Sequence, residues 1–264
     1  MTKIMGIINV TPDSFYEKSR SFSVKNSLEI ARKMILDGAD IIDIGGESTR
    51  PGSLPIDVDE ELNRVIPLIE LLRNESDIAI SIDSKKPQVV KEAIKAGVNF
   101  INDVTGFSDV EMCQLAKQAN IPICVMHMKD DPLTMQINPH YPDGIIPTLM
   151  TWFKNKIEYL QTLQIDVNKV YLDPGIGFGK TVEDNFAIIQ NLRQLKELGF
   201  PLLLGISRKS FMRKVLNCNT NDLLSATIAI NTIAILSGVD IIRVHDVLEH
   251  KRVIDLLKSG KLTI

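Results

Sequence analysis

Short apolar segments alternate with longer amphipathic segments along the whole chain. Eight of the short segments are almost continuous in isoleucine, valine and leucine, and they lie at residues 3–10, 39–46, 78–83, 100–104, 122–127, 170–175, 201–207 and 240–246. Strands that are apolar on both faces are typical of parallel sheets covered by helices. The pattern therefore predicts eight buried, parallel strands.

A segment with helical periodicity follows each predicted strand. In the second of these segments, Val65, Ile69 and Leu72 fall on one face of a helix. Helices are expected at residues 24–38, 59–73, 86–96, 109–118, 144–163, 182–198 and 247–257, with a short turn at 209–216 and a helix at 223–237 before the last strand. Eight such units average about 33 residues each, which is typical of a (β/α)8 barrel. We therefore predict an α/β protein with one TIM-barrel domain over residues 1–264.

An open, doubly wound sheet is the alternative architecture. Such sheets usually have fewer strands, and their first turn often contains G-x-G-x-x-G. The first turn of this chain reads N-V-T-P-D-S-F and has no glycine. This difference favours the barrel.

The charge of the chain and its cysteines narrow the class of protein further. A net charge of -3 argues against a nucleic-acid partner or an anionic membrane surface. No stretch of about 18 apolar residues is present, so we expect no membrane span. The three cysteines have no C-x-x-C spacing, which predicts reduced thiols in a cytoplasmic protein.

Polar side chains stand at the carboxyl end of every predicted strand. They include Asn9, Asp43, Asp83, Asn102, Asp103, His127, Asp173, Ser207, Arg243 and His245. These ends meet on the face of a barrel that carries the active site. Burying a polar group without a partner costs roughly 1–3 kcal/mol, so the ring predicts a ligand site.

Not every member of this ring is expected to act on a ligand. A structural role is the favoured interpretation for Asp43, Glu47, Asp103 and His127. Asp83 and Asp173 end their strands without an obvious cation nearby in the sequence, and this favours function.

Four basic residues converge from strands two, seven and eight. They are Arg50, Lys209, Arg243 and His245. The loops after strands seven and eight are the usual phosphate site of this fold, and arginine suits phosphate oxygens. The cluster predicts a site for a multiply charged anion such as a diphosphate.

A glycine-rich run, D-P-G-I-G-F-G-K, occupies residues 173–180. It does not match the phosphate-loop pattern G-x-x-x-x-G-K-[ST], and it predicts a turn that lets backbone approach a flat ligand.

Eight segments together closely resemble the dihydropteroate synthase family. They are G-I-I-N-V-T-P-D-S-F (6–15), G-A-D-I-I-D-I-G-G-E-S-T-R-P-G (38–52), S-I-D-S (81–84), I-N-D-V-T-G (101–106), M-H-M (126–128), L-D-P-G-I-G-F-G-K (172–180), G-I-S-R-K-S-F (205–211) and R-V-H-D-V (243–247). The resemblance implies a magnesium-assisted transferase of folate biosynthesis and a homodimer. In its reaction the amine of 4-aminobenzoate displaces diphosphate from (7,8-dihydropterin-6-yl)methyl diphosphate.

The resemblance also implies roles for individual residues. The residues expected to bind the pterin are Asp83, Asn102, Met126, Asp173, Phe178, Gly205 and Lys209. Three of them, Asp83, Asp173 and Lys209, are also the expected catalytic residues. Diphosphate binding falls to Asn9, Arg243 and His245, with Asn9 as the magnesium ligand. The 4-aminobenzoate site and the loops near it fall to Ser14, Phe15, Thr49, Arg50 and Ser207.

The chemistry of such a site favours a dissociative substitution. An aryl amine is neutral at pH 7 and needs no general base, so the barrier lies in expelling diphosphate. Magnesium, Lys209, Arg243 and His245 can neutralise the charge that develops on the leaving group. A buried carboxylate can stabilise positive charge at the methylene carbon.

Two departures from the family pattern leave alternatives open. Residues 16–20 read Y-E-K-S-R where the family usually has S-D-G-G, and Ser84 stands where threonine is frequent. Because of the altered first loop, one alternative is that the chain is a pterin-binding paralogue without synthase activity. A methyltransferase on a related pterin-binding barrel is the other alternative, and it would not need the cationic cluster.

Overall fold

A computed structural model describes residues 1–10, 17–48, 53–131 and 134–260, with only the backbone described at 17–23. Eight parallel strands form one sheet. They are β1 (Lys3–Asn9), β2 (Ile41–Gly45), β3 (Ala79–Asp83), β4 (Phe100–Asp103), β5 (Ile123–Met126), β6 (Val170–Asp173), β7 (Leu203–Leu204) and β8 (Ile241–Val244). Their order is β6-β5-β4-β3-β2-β1-β8-β7. A parallel bridge between Leu172 and Leu202 joins the two ends, so the predicted (β/α)8 barrel is confirmed.

Helices surround the strands. They are α1 (Glu17–Leu36), α2 (Val58–Glu75), α3 (Pro87–Lys95), α4 (Val110–Ala119), α5 (Ile145–Thr162), α6 (Val182–Gln190), α7 (Leu192–Lys196), α8 (Ser210–Leu216), α9 (Leu224–Leu236) and α10 (Val247–Lys258), with 3-10 turns at Val167–Lys169 and Thr220–Leu223. The main hydrophobic core lies where strands pack against helices. None of the described helices has the length and apolar content that a bilayer crossing requires.

Three details differ from the sequence-based expectation. The helix expected at 24–38 already begins at Glu17. The single helix expected at 182–198 is divided into α6 and α7, because Asn191 has non-helical dihedral angles and its side chain bonds to the carbonyl of Ala187 at 2.8 Å. The seventh strand is only two residues long, since the chain leaves the sheet after Leu204.

A second, smaller apolar cluster is formed by strand residues alone. It comprises Met5, Ile41, Phe100, Cys124, Leu203 and Ile241, with Ala79 and Tyr171 packed against it. Alternate residues of a strand share one face, and the other face of each strand packs against helices. This cluster, the apolar floor, therefore fills the inside of the barrel beneath the carboxyl ends of the strands.

Candidate active site

Strand alternation directs the predicted site residues into the barrel above the apolar floor. Residues two positions after a floor residue face inward, and they include Asp43, Asn102, Met126, Asp173, Gly205 and Arg243. Residues two positions further include Asn9, Asp83 and His245. The sheet register places Asp83 beside Asn102 and Met126 beside Asp173. On four strands the apolar floor thus gives way within two residues to polar side chains, those of Asp43, Asn102, Asp173 and Arg243, which form a polar layer.

Arg243 forms a buried ion triad with two aspartates from neighbouring strands. Its Nε lies 2.6 Å from Oδ2 of Asp43, and its Nη2 lies 2.6 Å from Oδ2 of Asp83. Asp43 is fully buried and also accepts a long hydrogen bond of 3.5 Å from Asn102. Asp43 therefore serves as a counterion of Arg243. The expected contact of Arg243 with diphosphate stays a prediction.

Burial perturbs both of the predicted catalytic carboxylates. It raises the pKa of Asp83 to about 7, against the opposing effect of Arg243 and with a further increase from Asp43. Burial also raises the pKa of Asp173, and Lys209 opposes this shift. The backbone amide of Gly175 donates a 2.7 Å hydrogen bond to Oδ1 of Asp173, which fixes the orientation of the carboxylate. Perturbed carboxylates of this kind are typical of functional sites.

Lys209 faces the loop that follows β6. Its ammonium donates to the carbonyl of Ile176 and lies 4.4 Å from the centre of the Phe178 ring. Burial lowers the pKa of Lys209 to about 8, while Asp173 opposes this shift. The neighbouring Arg208 instead pairs with Asp246 at 2.6 Å. Of the two adjacent basic residues, Lys209 is the one placed at the site.

Ser207 and His245 lie together at the ends of the last two strands. The Oγ atom of Ser207 is 2.9 Å from Nδ1 of His245 and accepts a 3.3 Å hydrogen bond from the backbone amide of His245. The serine therefore fixes the orientation of the imidazole. The two side chains stand next to the polar layer that contains Arg243.

The remaining predicted site residues belong to the loops and to the expected magnesium site. Ser14, Phe15, Thr49 and Arg50 lie outside the described residues. Asn9 ends β1 and is exposed at the mouth of the barrel. Among the residues that are described, no three His, Cys, Asp or Glu side chains are grouped to hold a metal.

The structural interpretations of Glu47, Asp103 and His127 agree with the geometry. The carboxylate of Asp103 accepts hydrogen bonds from the amides of Thr105 and Phe107, which closes the turn after β4. Glu47 pairs with two lysines, Lys85 and Lys86, at 2.9 and 2.6 Å. The side chain of His127 packs inside the protein against aromatic rings.

Sequence reasoning missed two features of this region. One is the pairing of Arg243 with Asp43, because the two residues are 200 positions apart. The other is Lys180, which is almost completely buried although lysines are normally exposed. The glycines before Lys180 were a signal that this part of the chain packs closely against a neighbour.

Comparisons with known proteins agree with this geometry. A family model described as pterin binding enzyme matches residues 5–245. Dihydropteroate synthase of Escherichia coli is 40% identical over 98% of this chain and 92% of its own length. The structure of dihydropteroate synthase from Clostridium difficile in the presence of pteroic acid has a TM-score of 0.91 and 42% identity, with 99% and 97% of the two chains covered. The Xanthomonas albilineans enzyme with 4-aminobenzoic acid has a TM-score of 0.91 and 33% identity, with 100% and 94% covered.

Proposed function

The chain belongs to the dihydropteroate synthase family of pterin-binding enzymes, and on that premise we propose how its own residues carry out the family's reaction. The activity is that of a transferase, dihydropteroate synthase, which joins a dihydropterin methyl diphosphate to 4-aminobenzoate and releases diphosphate. The polar layer above the apolar floor is the observation on which we assign these residues their roles in the reaction. It brings two perturbed carboxylates and two cations to the mouth of one barrel.

The pterin ring is proposed to bind between β3, β4 and β6. Asp83 and Asn102 are register partners and offer adjacent hydrogen-bonding groups, while Asp173 faces them from β6. Met126 and Phe178 supply the apolar contacts of a slot for a flat ring. A glycine at position 205 supports this placement, because even a Cβ there would come no closer than 3.9 Å to Arg243, which leaves space above the floor.

Asp83 and Asp173 are proposed to stabilise positive charge on the dihydropterin as the leaving group departs. The apolar floor beneath them keeps water away, and a charge interaction is stronger in such a medium. Lys209 is proposed to bind the pterin from the side of Phe178. Its contact with Ile176 already holds the ammonium at the entrance of the slot.

Arg243 and His245 are proposed to bind the diphosphate and to neutralise the charge that it gains. Arg243 lies on β8 and His245 directly follows this strand, beside the loop after β7, and this supports the role because that corner of the barrel commonly binds phosphate groups. Ser207 orients the imidazole of His245 through the 2.9 Å contact. Ser207 is also proposed to bind near 4-aminobenzoate, and the resemblance assigns Ser14, Phe15, Thr49 and Arg50, which lie outside the described residues, to the same substrate.

Asn9 fits the expected magnesium ion as a donor. Magnesium in phosphate-transfer sites keeps several waters and commonly uses one or two protein oxygens together with substrate phosphates. The exposed amide of Asn9 at the mouth of the barrel can supply one such oxygen. The ion would contribute charge neutralisation on the diphosphate.

We also propose a homodimer in the cytoplasm, built from the single domain that residues 1–264 form. Exposed apolar side chains on α8 and α9 support the dimer, and they include Val215, Leu216, Ile233 and Leu236. The thiols of Cys113, Cys124 and Cys218 are free, which is typical of proteins in a reducing compartment. Sedimentation equilibrium measures the oligomeric state directly.

The proposed function is tested by diphosphate release. The purified chain is given dihydropterin methyl diphosphate and magnesium, with and without 4-aminobenzoate. Release that requires 4-aminobenzoate and forms dihydropteroate is the expected result. Tight pterin binding without such release would instead identify a non-catalytic pterin-binding paralogue. Methyl transfer from methyltetrahydrofolate, supplied in a separate assay without magnesium or a diphosphate substrate, would identify a methyltransferase.

A further inference from the structure

Lys180 is a buried lysine at the end of the loop that follows β6. Only 3% of the residue is exposed. Its ammonium lies 3.0 Å from Nδ1 of His127 and donates to the carbonyls of His127 and Phe178 at 3.2 and 3.0 Å. All three acceptors are neutral groups, so this is not an ordinary ion pair. A lysine that is taken out of water in this way needs a reason beyond the folding of a surface loop.

The two partners of this contact differ in their ease of protonation. Burial, aided by the charge of Lys180, lowers the pKa of His127 to about 3, so the imidazole is neutral and its Nδ1 can accept a hydrogen bond. Burial lowers the pKa of Lys180 to about 7, and the carboxylate of Asp173 opposes this shift. At pH 7 the lysine is therefore protonated in about half of the molecules, and in that form its hydrogen bonds are charge-assisted.

The contact joins the end of β5 to the loop of residues 174–180, which we name the β6 loop. Glycines let the two segments approach closely. A Cβ atom at Gly175, where φ is +68°, would overlap the carbonyl oxygen of His127. A Cβ atom at Gly179 would stand 2.7 Å from Cβ of Lys129. The sequence predicts that these glycines let backbone approach a flat ligand, but in the structure they let the β6 loop pack against the segment after β5. Lys180 then bonds to carbonyls of both segments.

The opposite side of the β6 loop faces the proposed pterin slot. The carbonyl of Ile176 accepts a hydrogen bond from Lys209, and the Phe178 ring lies against the same ammonium. Lys180 holds the carbonyl of Phe178 from within the protein. The short loop is thus fixed between two lysines, one buried behind it and one in the site.

We infer that Lys180 is a positioning residue of the pterin site: with His127 it fixes the β6 loop so that Phe178 and Ile176 meet Lys209 in the geometry that binds the pterin. The inference deepens the proposed function and rests on it, because it assumes that Phe178 and Lys209 bind the pterin. Lys180 acts through the loop and does not touch the substrate.

The test compares K180M with the matched control K169M. Methionine is unbranched and only one heavy atom shorter than lysine, so it keeps most of the apolar stem but removes the donors. Lys169 also donates to a backbone carbonyl, that of Asn120, but it lies just before β6 at the other end of the barrel. In steady-state assays, K180M is expected to raise KM for the dihydropterin substrate about tenfold, the size expected for losing a hydrogen bond to a charged group. KM for 4-aminobenzoate is expected to change less than about twofold, and K169M should match the wild type in both constants.

Fluorescence supplies a readout that a general loss of stability would not reproduce. The chain has one tryptophan, and Trp152 packs edge-on against His127 with ring centres 5.1 Å apart. K180M is expected to change the emission of Trp152 in the folded protein, whereas K169M is not. An unchanged dihydropterin KM in folded K180M, or an equal rise in KM for both substrates, would overturn the inference.

Three further variants keep the result decisive. If K180M does not fold, H127F takes its place, because phenylalanine keeps a ring against Trp152 but removes the Nδ1 acceptor. A dihydropterin KM that is unchanged in H127F would then overturn the inference. F178L and K209M test the proposed slot itself. If neither raises the dihydropterin KM, the proposed pterin site is wrong; if both do and K180M does not, only the role of Lys180 is wrong.

Discussion

Replacing Arg243 by leucine should destabilise the protein strongly, and the loss should depend on pH. The side chain of Asp43 is fully buried and that of Asp83 is 10% exposed, and each has an oxygen 2.6 Å from the guanidinium. Removing one partner of a buried ion pair leaves an uncompensated charge and costs about 3–5 kcal/mol. Arg243 serves two carboxylates at once, so we expect the upper part of this range at pH 8.

The direction of the pH effect follows from the carboxylates. The pKa of Asp83 is already raised to about 7, although Arg243 lowers it, so it rises further in the variant. A carboxyl group with a raised pKa in the folded state binds more protons there than in the unfolded state. Its contribution to stability is therefore lost as the pH rises from about 4 through the folded-state pKa. The deficit of R243L should be largest at pH 8 and smaller at pH 5.5, where the carboxyl of Asp83 takes up a proton.

Urea unfolding at the two pH values measures this prediction, with R208L as the matched control. Arg208 pairs with Asp246 at 2.6 Å, but both side chains are partly exposed, and such pairs contribute at most about 1 kcal/mol. The double variant D43L/R243L removes two members of the triad, leaves only Asp83, and should recover part of the stability lost in R243L. Equal losses in R243L and R208L, with the same value at both pH values, would refute the view that the triad is a buried, coupled unit.

Three other changes test the site and the β6 loop. D173N should lower kcat for diphosphate release at least about 100-fold in a folded protein, because it removes the carboxylate that we propose to stabilise positive charge. Full turnover in both D173N and D83N would exclude that role. G175A should lower the free energy of unfolding by about 1–3 kcal/mol in urea titrations, since its Cβ would overlap the carbonyl of His127; a wild-type midpoint would contradict the close approach. Chelation of magnesium should abolish diphosphate release, and added magnesium should restore it; activity that persists in chelator would argue against the ion.

Much of the barrel and of its inward residues could be predicted from the sequence. The eight apolar segments set the strands, and the two-residue period of a strand then decides which side chains share the interior. Arg243 on β8 and His245 just after its end are two positions apart, so the strand period predicts that both face inward. The same period places Asp83 two residues beyond Ser81 on the inner face of β3.

The contacts between side chains could not be predicted in the same way. Whether Arg243 meets Asp43 depends on the stagger of β1, β2 and β8 around the barrel and on rotamers, neither of which is a property of one segment. The division between α6 and α7 lies at Asn191, whose dihedral angles are non-helical and whose side chain bonds to the carbonyl of Ala187 in addition to its own backbone amide. Burial of Lys180 depends on the path of a loop that contains three glycines.

The ion triad also bears on which ligand the site can accept. A ligand that separates Arg243 from Asp83 must offer negative charge to the guanidinium and hydrogen-bond donors to the carboxylate, or the buried groups lose more than they gain. A pterin ring carries amino and ring N–H donors, and its diphosphate carries the negative charge. A ligand with only one of these features would leave either Arg243 or Asp83 without a partner above the apolar floor. The pairing between the two residues therefore favours a substrate in which a ring with several hydrogen-bond donors is joined to an anion. A pterin diphosphate combines these two features.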